Sequence, residues 1–325
     1  MKKRIEWIDV AKGVGILLVV FEHVLMAYTR RAGNSSIIHT LPVRIIVGFY
    51  MPLFFFLSGI FIKSVLKHSF KKSFNLKFRR LMVPYFVWGI ISVIFFAIYT
   101  HSSPVLRIIE LPIRPIFVLW FVYTLFLISL LFYILENFCR RNEIILISLV
   151  MYVIGKIFSL ENDVAIDSGE KVIVSVLQYF IFVYLGYLMK EFLIKMNKKF
   201  VIVATAFVSI LLLIVLNIIK FKEIYLSVFA GFLIAILGIV FVCMMCKLVT
   251  SFPIIERPFS YMGKASMQIY LIHKLVVEAT SIIIFHISTN VFVFTIFNIL
   301  ITLVICFIIT AIINKLGWNK LFFGA

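Results

Sequence analysis

Ten long apolar stretches separated by short polar loops run along the chain, and they leave no segment long enough to fold as a separate soluble domain. Each stretch has roughly the 20 residues that an α-helix needs to cross the hydrocarbon core of a bilayer. Hydrophobic residues make up 63% of the sequence and charged residues 14%, whereas a soluble domain is about half apolar and a quarter charged. We therefore expect an all-α integral membrane protein, a single bundle of about ten transmembrane helices. The predicted spans are Ile8–Tyr28, Ile45–Leu66, Leu81–Tyr99, Ile116–Leu135, Ile144–Leu160, Val172–Met189, Phe200–Ile219, Ile224–Cys246, Ala265–Ile287 and Val291–Ile313.

Lysine and arginine are concentrated in alternate loops, which predicts the orientation of the bundle. Of the 32 such residues, 21 lie on the side of the N-terminus and 8 on the other side. Because cytoplasmic loops carry the excess of positive charge, both termini are expected in the cytoplasm. This distribution also argues against nucleic acid as the reason for the net charge of +18. We expect residues 1–325 to form a single transmembrane domain without an appended soluble domain.

Four ionisable residues interrupt the first apolar stretch: Asp9, Lys12, Glu22 and His23. A charge at the centre of an inserted helix costs about 2.5–3.5 kcal/mol on insertion scales, so their presence indicates a function. With about 100° per residue, an ideal helix places Asp9, Lys12 and His23 on one face and Glu22 apart from it. Asp9 and Lys12 also have the spacing of an i,i+3 pair that neutralises itself near the membrane surface.

The loop after the second span is strongly basic and carries Phe70, Phe74 and Phe78 at four-residue spacing. This pattern favours an amphipathic helix in the headgroup layer, where attraction to lipid phosphates would explain the charges. The same basic surface would equally suit a cytosolic polyanion. Cys243 and Cys246 have C-x-x-C spacing, but no second pair or histidine follows, so we expect membrane packing and no metal site.

Five segments give the chain a more specific resemblance, and they occur in the same order as in a known family. They are WIDVAKGVGILLVVFEHV, FYMPLFFFLSGIFIK, FRRLMVPYF, LWFVYTLFLISLLF and YMGKASMQIYLIHKLV. Together they resemble the acyltransferase family 3 membrane proteins, and Lys12 and the compact length look most like the fucose 4-O-acetylase-related branch. The sequence departs from the family pattern at four positions: Lys12 and Lys77 stand where arginine is usual, Ile60 where phenylalanine is usual, and Glu22 where a small residue is common.

The resemblance implies a ten-span enzyme of the bacterial cytoplasmic (inner) membrane that moves an acyl group. The donor is usually acetyl-CoA, and the acceptor is a hydroxyl of a cell-surface carbohydrate such as O-antigen, capsule or exopolysaccharide. The expected partners are therefore acetyl-CoA, a surface glycan or lipid-linked oligosaccharide, and membrane lipids, with no nucleic acid.

The chemistry of transfer fits the ionisable residues. A sugar hydroxyl is a poor nucleophile, so its attack on a thioester needs a base near neutrality, and histidine is the natural choice. We expect His23 to be that base. Glu22, or a carboxylate from another span, would orient its ring as in a catalytic triad, and His273 is a second candidate that could instead be a packing residue.

The remaining candidates are binding residues. Near the cytoplasmic face, cations would meet the phosphates of CoA. We expect four to do so: Lys12, Lys77, Arg79 and Arg80. Asp9 is expected at the same binding site. For the acceptor we expect Tyr270, Trp120 and Ser58. Trp120 could instead be an interfacial aromatic, and Ser58 with Gly59 could simply allow two helices to approach closely.

A different class of function fits part of the same evidence. An exporter of a surface polysaccharide or its lipid-linked precursor also has many spans and intramembrane charges. A structural partner in glycan assembly is a third possibility. Neither needs a basic CoA site or a catalytic histidine, so these two features distinguish the transferase.

Overall fold

The computed structural model describes residues 5–162, 168–219 and 221–324, and within these ranges the regular structure is helical, without strands. Ten segments are long and apolar enough to cross a membrane, which confirms the expectation of an all-α integral membrane protein. They are Glu6–Ala32, Leu41–Lys67, Phe70–Thr100, Phe117–Phe138, Arg141–Glu161, Gly169–Lys195, Lys199–Ile218, Ile224–Val249, Ser266–Ile287 and Val291–Lys315. Each of the ten predicted spans coincides with one of them.

The α-helices are numbered in chain order. They are α1 (Glu6–Ala32), α2 (Leu41–Gly59), α3 (Phe70–Lys77), α4 (Val83–Thr100), α5 (Val105–Glu110), α6 (Trp120–Phe138), α7 (Arg141–Glu161), α8 (Gly169–Lys195), α9 (Lys199–Ile218), α10 (Ile224–Val249), α11 (Pro253–Lys264), α12 (Ser266–Ile287), α13 (Val291–Lys315) and α14 (Asn319–Phe323).

The basic segment after the second span differs from the expected separate surface helix. Helix α3 continues into α4 through a π-helical turn at Phe78–Met82. Pro84 explains the wider turn, since proline has no N–H to donate and its ring crowds the carbonyl four residues earlier. Phe74 and Phe78 pack edge-on against Phe126 of α6, with ring centroids 5.5 and 6.0 Å apart. The phenylalanine pattern therefore serves contacts within the protein.

The described helices divide into two compact units. The first comprises Met1–Leu57 and Leu188–Cys306, and the second Ser58–Tyr187 and Phe307–Ala325. The single domain expected for residues 1–325 stays a prediction.

In the first unit, α1 packs against α10, α11 and α12. Its contact with α11 is made by glycines on both helices. A Cβ atom on Gly13 would run into the carbonyl oxygen of Phe259, and a Cβ atom on Gly263 would run into that of Asp9. Such small residues let two membrane helices touch through their backbones, and here they fix α1 at its N-terminal half.

In the second unit, the C-terminal helix α14 packs on α4. The Trp88 Nε1–H donates a hydrogen bond to the carbonyl oxygen of Phe322 at 2.9 Å, and the Trp88 ring stacks on Phe323. At the end of α2, Gly59 lies so close to the carbonyl of Val183 in α8 that a side chain would clash. The Ser58-Gly59 pair thus stands at a tight helix contact.

Candidate functional site

Helices α1 and α12 bring His23 and His273 side by side, although 250 positions separate them in the sequence. Their ring centroids are 5.2 Å apart and the ring planes are tilted by 40°. His273 is fully buried, and the His23 side chain is 19% exposed. Two imidazoles in contact inside a membrane-spanning bundle form the centre of the candidate site.

The hydrogen bonds of His273 define its tautomer. Its Nδ1 lies 2.7 Å from the carbonyl oxygen of Tyr270 and 3.1 Å from that of Ile269. Carbonyl oxygens only accept, so Nδ1 carries the hydrogen and Nε2 of the neutral ring is an acceptor. That Nε2 is buried and has no hydrogen-bond partner among the described residues. Because buried polar atoms are nearly always paired, it is suited to receive a hydrogen bond from a substrate or from His23.

Glu22 lies beside the pair, at the position where a carboxylate was expected. Its Oε2 is 3.2 Å from Nδ1 of His23. The angles do not make this contact a hydrogen bond, and within the described residues Oε2 has no hydrogen-bond partner. Glu22 is only 7% exposed. A carboxylate in this place favours the His23 tautomer with hydrogen on Nδ1, which leaves Nε2 of that ring able to accept a proton.

A charged cluster, defined here as Arg30, Lys274 and Glu278, follows along the same two helices. The Glu278 carboxylate pairs with Arg30 of α1 and, at 2.8 Å, with Lys274 one turn earlier in α12. Next to it, Arg31 Nε donates to the hydroxyl of Ser281 at 3.0 Å. Sequence reasoning missed this cluster, although the i,i+4 spacing of Lys274 and Glu278 was a visible signal. It joins α1 to α12 and compensates charge near the histidines.

Of the other candidates in the first unit, Asp9 and Lys12 lie away from the histidine pair and Tyr270 lies beside it. Asp9 and Lys12 lie in the N-terminal half of α1, and Lys12 is about 16 Å along the axis from His23. Asp9 is 9% exposed. The Tyr270 ring centroid is 5.7 Å from that of His273, so this tyrosine belongs to the histidine site by position. The roles expected for these residues stay predictions.

The second unit contains a basic cavity of about 760 Å³ around the π turn. It is lined by the three cations of the second unit that were expected to bind CoA: Lys77, Arg79 and Arg80. Sequence reasoning missed its further basic lining residues, which are Lys67, His68 and Lys320. Lys320 is brought in by the packing of α14, which no local pattern predicts.

The acceptor candidates of the second unit have partners inside the protein. Trp120 is half-buried and stacks on Tyr179, with ring centroids 5.8 Å apart and planes tilted by 27°. The Lys171 Nζ lies 5.2 Å from the centroid of the same ring. Ser58 is half-buried next to the tight contact at Gly59. A role of Trp120 or Ser58 in sugar binding stays a prediction.

Comparison with known proteins gives a family match over nearly the whole chain. A family model described as an acyltransferase domain, that of acyltransferase family 3, matches residues 5–312. No curated protein and no solved structure matches the chain.

Proposed function

Since the chain belongs to acyltransferase family 3, we propose that this membrane acyltransferase is an O-acetyltransferase of the bacterial cytoplasmic membrane. It would move the acetyl group of acetyl-CoA to a hydroxyl of a cell-surface carbohydrate such as O-antigen, capsule or exopolysaccharide. The observation that supports this best is the buried pair of His23 and His273, each placed to keep one ring nitrogen as a proton acceptor.

The proposed reaction is a direct transfer between two bound substrates. Nε2 of His23 accepts the proton of the sugar hydroxyl while the hydroxyl oxygen attacks the carbonyl carbon of the thioester. The resulting tetrahedral intermediate collapses, the C–S bond breaks, and the CoA thiolate leaves and receives the proton from His23. The acetyl ester and free CoA are the products, so His23 ends in its starting state.

The neighbours of His23 have supporting roles in this proposal. Glu22 holds the ring in the tautomer that can accept the proton and stabilises the imidazolium that forms. His273, through its unpaired Nε2, accepts a hydrogen bond from the acceptor sugar or from the protonated His23. Glu278 offsets one of the two positive charges of Arg30 and Lys274 and so reduces their opposition to a positive charge on the imidazole.

The donor would bind through the basic cavity of the second unit. Acetyl-CoA carries a diphosphate and a ribose phosphate, and arginine binds phosphate with strong, bidentate hydrogen bonds. Arg79 and Arg80 are exposed and Lys77 is half-buried at this cavity, and the predicted topology places this loop in the cytoplasm, where acetyl-CoA is made. Lys12 is a further cation for the donor under the same topology.

Substitution of the histidines tests the proposal. In a strain that lacks the gene, we expect the wild-type chain to restore O-acetyl signals in the NMR spectrum of the surface glycan. His23→Ala, inserted in the membrane at the wild-type level, should restore none, while His286→Ala is the matched control at an exposed histidine of α12. If the strain that lacks the gene lost the polymer itself from the cell surface, and not only the O-acetyl groups, the protein would be an exporter and the proposal would be refuted.

A further inference from the structure

A cavity of the first unit adjoins the histidine site. It lies among α1, the turn Ser36–His39, the start of α2 and the end of α9, and its volume is about 340 Å³. Ligand pockets measure roughly 300–1,000 Å³, so this one suits a small unit. Its lining is largely apolar, and its polar members are Glu22, His39, Arg44 and Asn217.

Glu22 connects this cavity to the histidine pair. It lines the cavity, and its Oε2 lies 3.2 Å from Nδ1 of His23. The side chain is more than nine-tenths buried, and Oε2 has no hydrogen-bond partner in the described residues. A carboxyl group accepts hydrogen bonds whether or not it is protonated. A ligand hydroxyl at Glu22 would thus be bound one side chain away from His23.

Arg44 supplies donors at the same cavity. One of its terminal N–H groups donates to the carbonyl oxygen of Asn217 at 2.9 Å, in the last turn of α9. A guanidinium has five N–H groups in a planar fork, so others remain for a ligand. A carboxyl acceptor and a guanidinium donor lining one small cavity match the paired oxygens of a sugar. The opposite charges of Glu22 and Arg44 offset each other, so a neutral ligand matches this lining without bringing in an uncompensated charge.

We propose that this cavity binds a neutral, hydroxyl-bearing sugar unit of the acceptor glycan. Glu22 accepts a hydrogen bond from a sugar hydroxyl, and Arg44 donates to a neighbouring sugar oxygen. The inference rests on the proposed O-acetyltransferase function and adds to it the place of the acceptor. It agrees with the predicted topology, in which the loop of His39 and Arg44 lies on the outer side of the membrane.

Filling the cavity tests the inference. Val47→Trp places an indole into the lining, and Val203→Trp is the matched control, since both valines are 47% exposed and Val203 does not line the cavity. In the strain that lacks the gene, we expect Val47→Trp to lower the O-acetyl content of the glycan at least about tenfold. Acetyl-CoA binding by the purified variant, measured by calorimetry, should remain at the wild-type value.

A milder variant covers the case in which the indole impairs folding. Arg44→Gln removes the guanidinium donor of the proposed site from an exposed position, and we expect a loss of about threefold to tenfold in O-acetyl content, as for one hydrogen bond. Full O-acetylation by Val47→Trp or Arg44→Gln, with the wild-type chain active, would overturn the cavity assignment alone. If the wild-type chain restored no O-acetyl groups, the proposed transfer itself would fail, and this inference with it.

Discussion

Replacement of Glu278 by glutamine tests the charged cluster between α1 and α12. Breaking a buried ion pair on one side costs about 3–5 kcal/mol, because the other charge is left uncompensated. The relevant partner is Lys274, whose side chain is 12% exposed, whereas Arg30 is 56% exposed and adds at most about 1 kcal/mol. The amide oxygen of glutamine still accepts a hydrogen bond from Lys274. We therefore expect Glu278→Gln to lower the free energy of unfolding by about 2–3 kcal/mol.

A double-mutant cycle separates this ion pair from other effects of the substitution. Lys274→Met removes the buried cation, so Lys274→Met with Glu278→Gln should regain most of the stability lost in Glu278→Gln. The assay is denaturant-induced unfolding of the purified protein in detergent, followed by tryptophan fluorescence. Arg114→Gln is a suitable control, since this exposed arginine has only a 3.5 Å ion pair with Glu110.

Two results would refute this reasoning. A loss below about 0.5 kcal/mol in Glu278→Gln would mean that the cluster behaves as an exposed pair. A double mutant as unstable as Glu278→Gln alone would mean that the uncompensated charge of Lys274 is not the cause.

Two further predictions concern the basic cavity of the second unit and the contact of α1 with α11. Replacing Arg79 and Arg80 together by glutamine should raise the KM for acetyl-CoA at least about tenfold while kcat changes little, since charge-assisted hydrogen bonds contribute roughly 1.5–3 kcal/mol. Arg257→Gln, at an exposed arginine, is the control. An unchanged KM would exclude this cavity as the donor site. Gly13→Ala should lower the amount of folded protein in the membrane, because the added Cβ meets the carbonyl oxygen of Phe259; wild-type levels and activity would show that α1 can move away without loss.

The sequence allowed the spans to be predicted because hydrophobic length is a local property. The ten apolar runs, the basic inner loops and the charges of the first span are all read without knowledge of packing. His23 and His273 were both selected, one by its place in an apolar span and one by a family motif. Their contact depends on how α1 lies on α12, which no local pattern contains.

The parts that sequence reasoning missed are contacts between distant segments. The Glu278 carboxylate pairs with Arg30, 248 positions earlier in the chain. His39 lies in a loop without periodicity, and its cavity exists only because α9 ends beside the start of α2. The π turn that contains Arg80 follows from Pro84 together with the continuation of α3, and a hydropathy profile does not distinguish such a turn from a loop.

The close backbone contact of Gly13 with α11 can serve as a pivot for the part of α1 that carries His23. His23 lies ten residues beyond it, about 15 Å along the helix axis. Over that lever arm, a rotation of about 4° displaces the imidazole by about 1 Å, an error that can slow a reaction about 100-fold. If His23 acts as the proposed base, the position of that base would depend on Gly13, about three helical turns away.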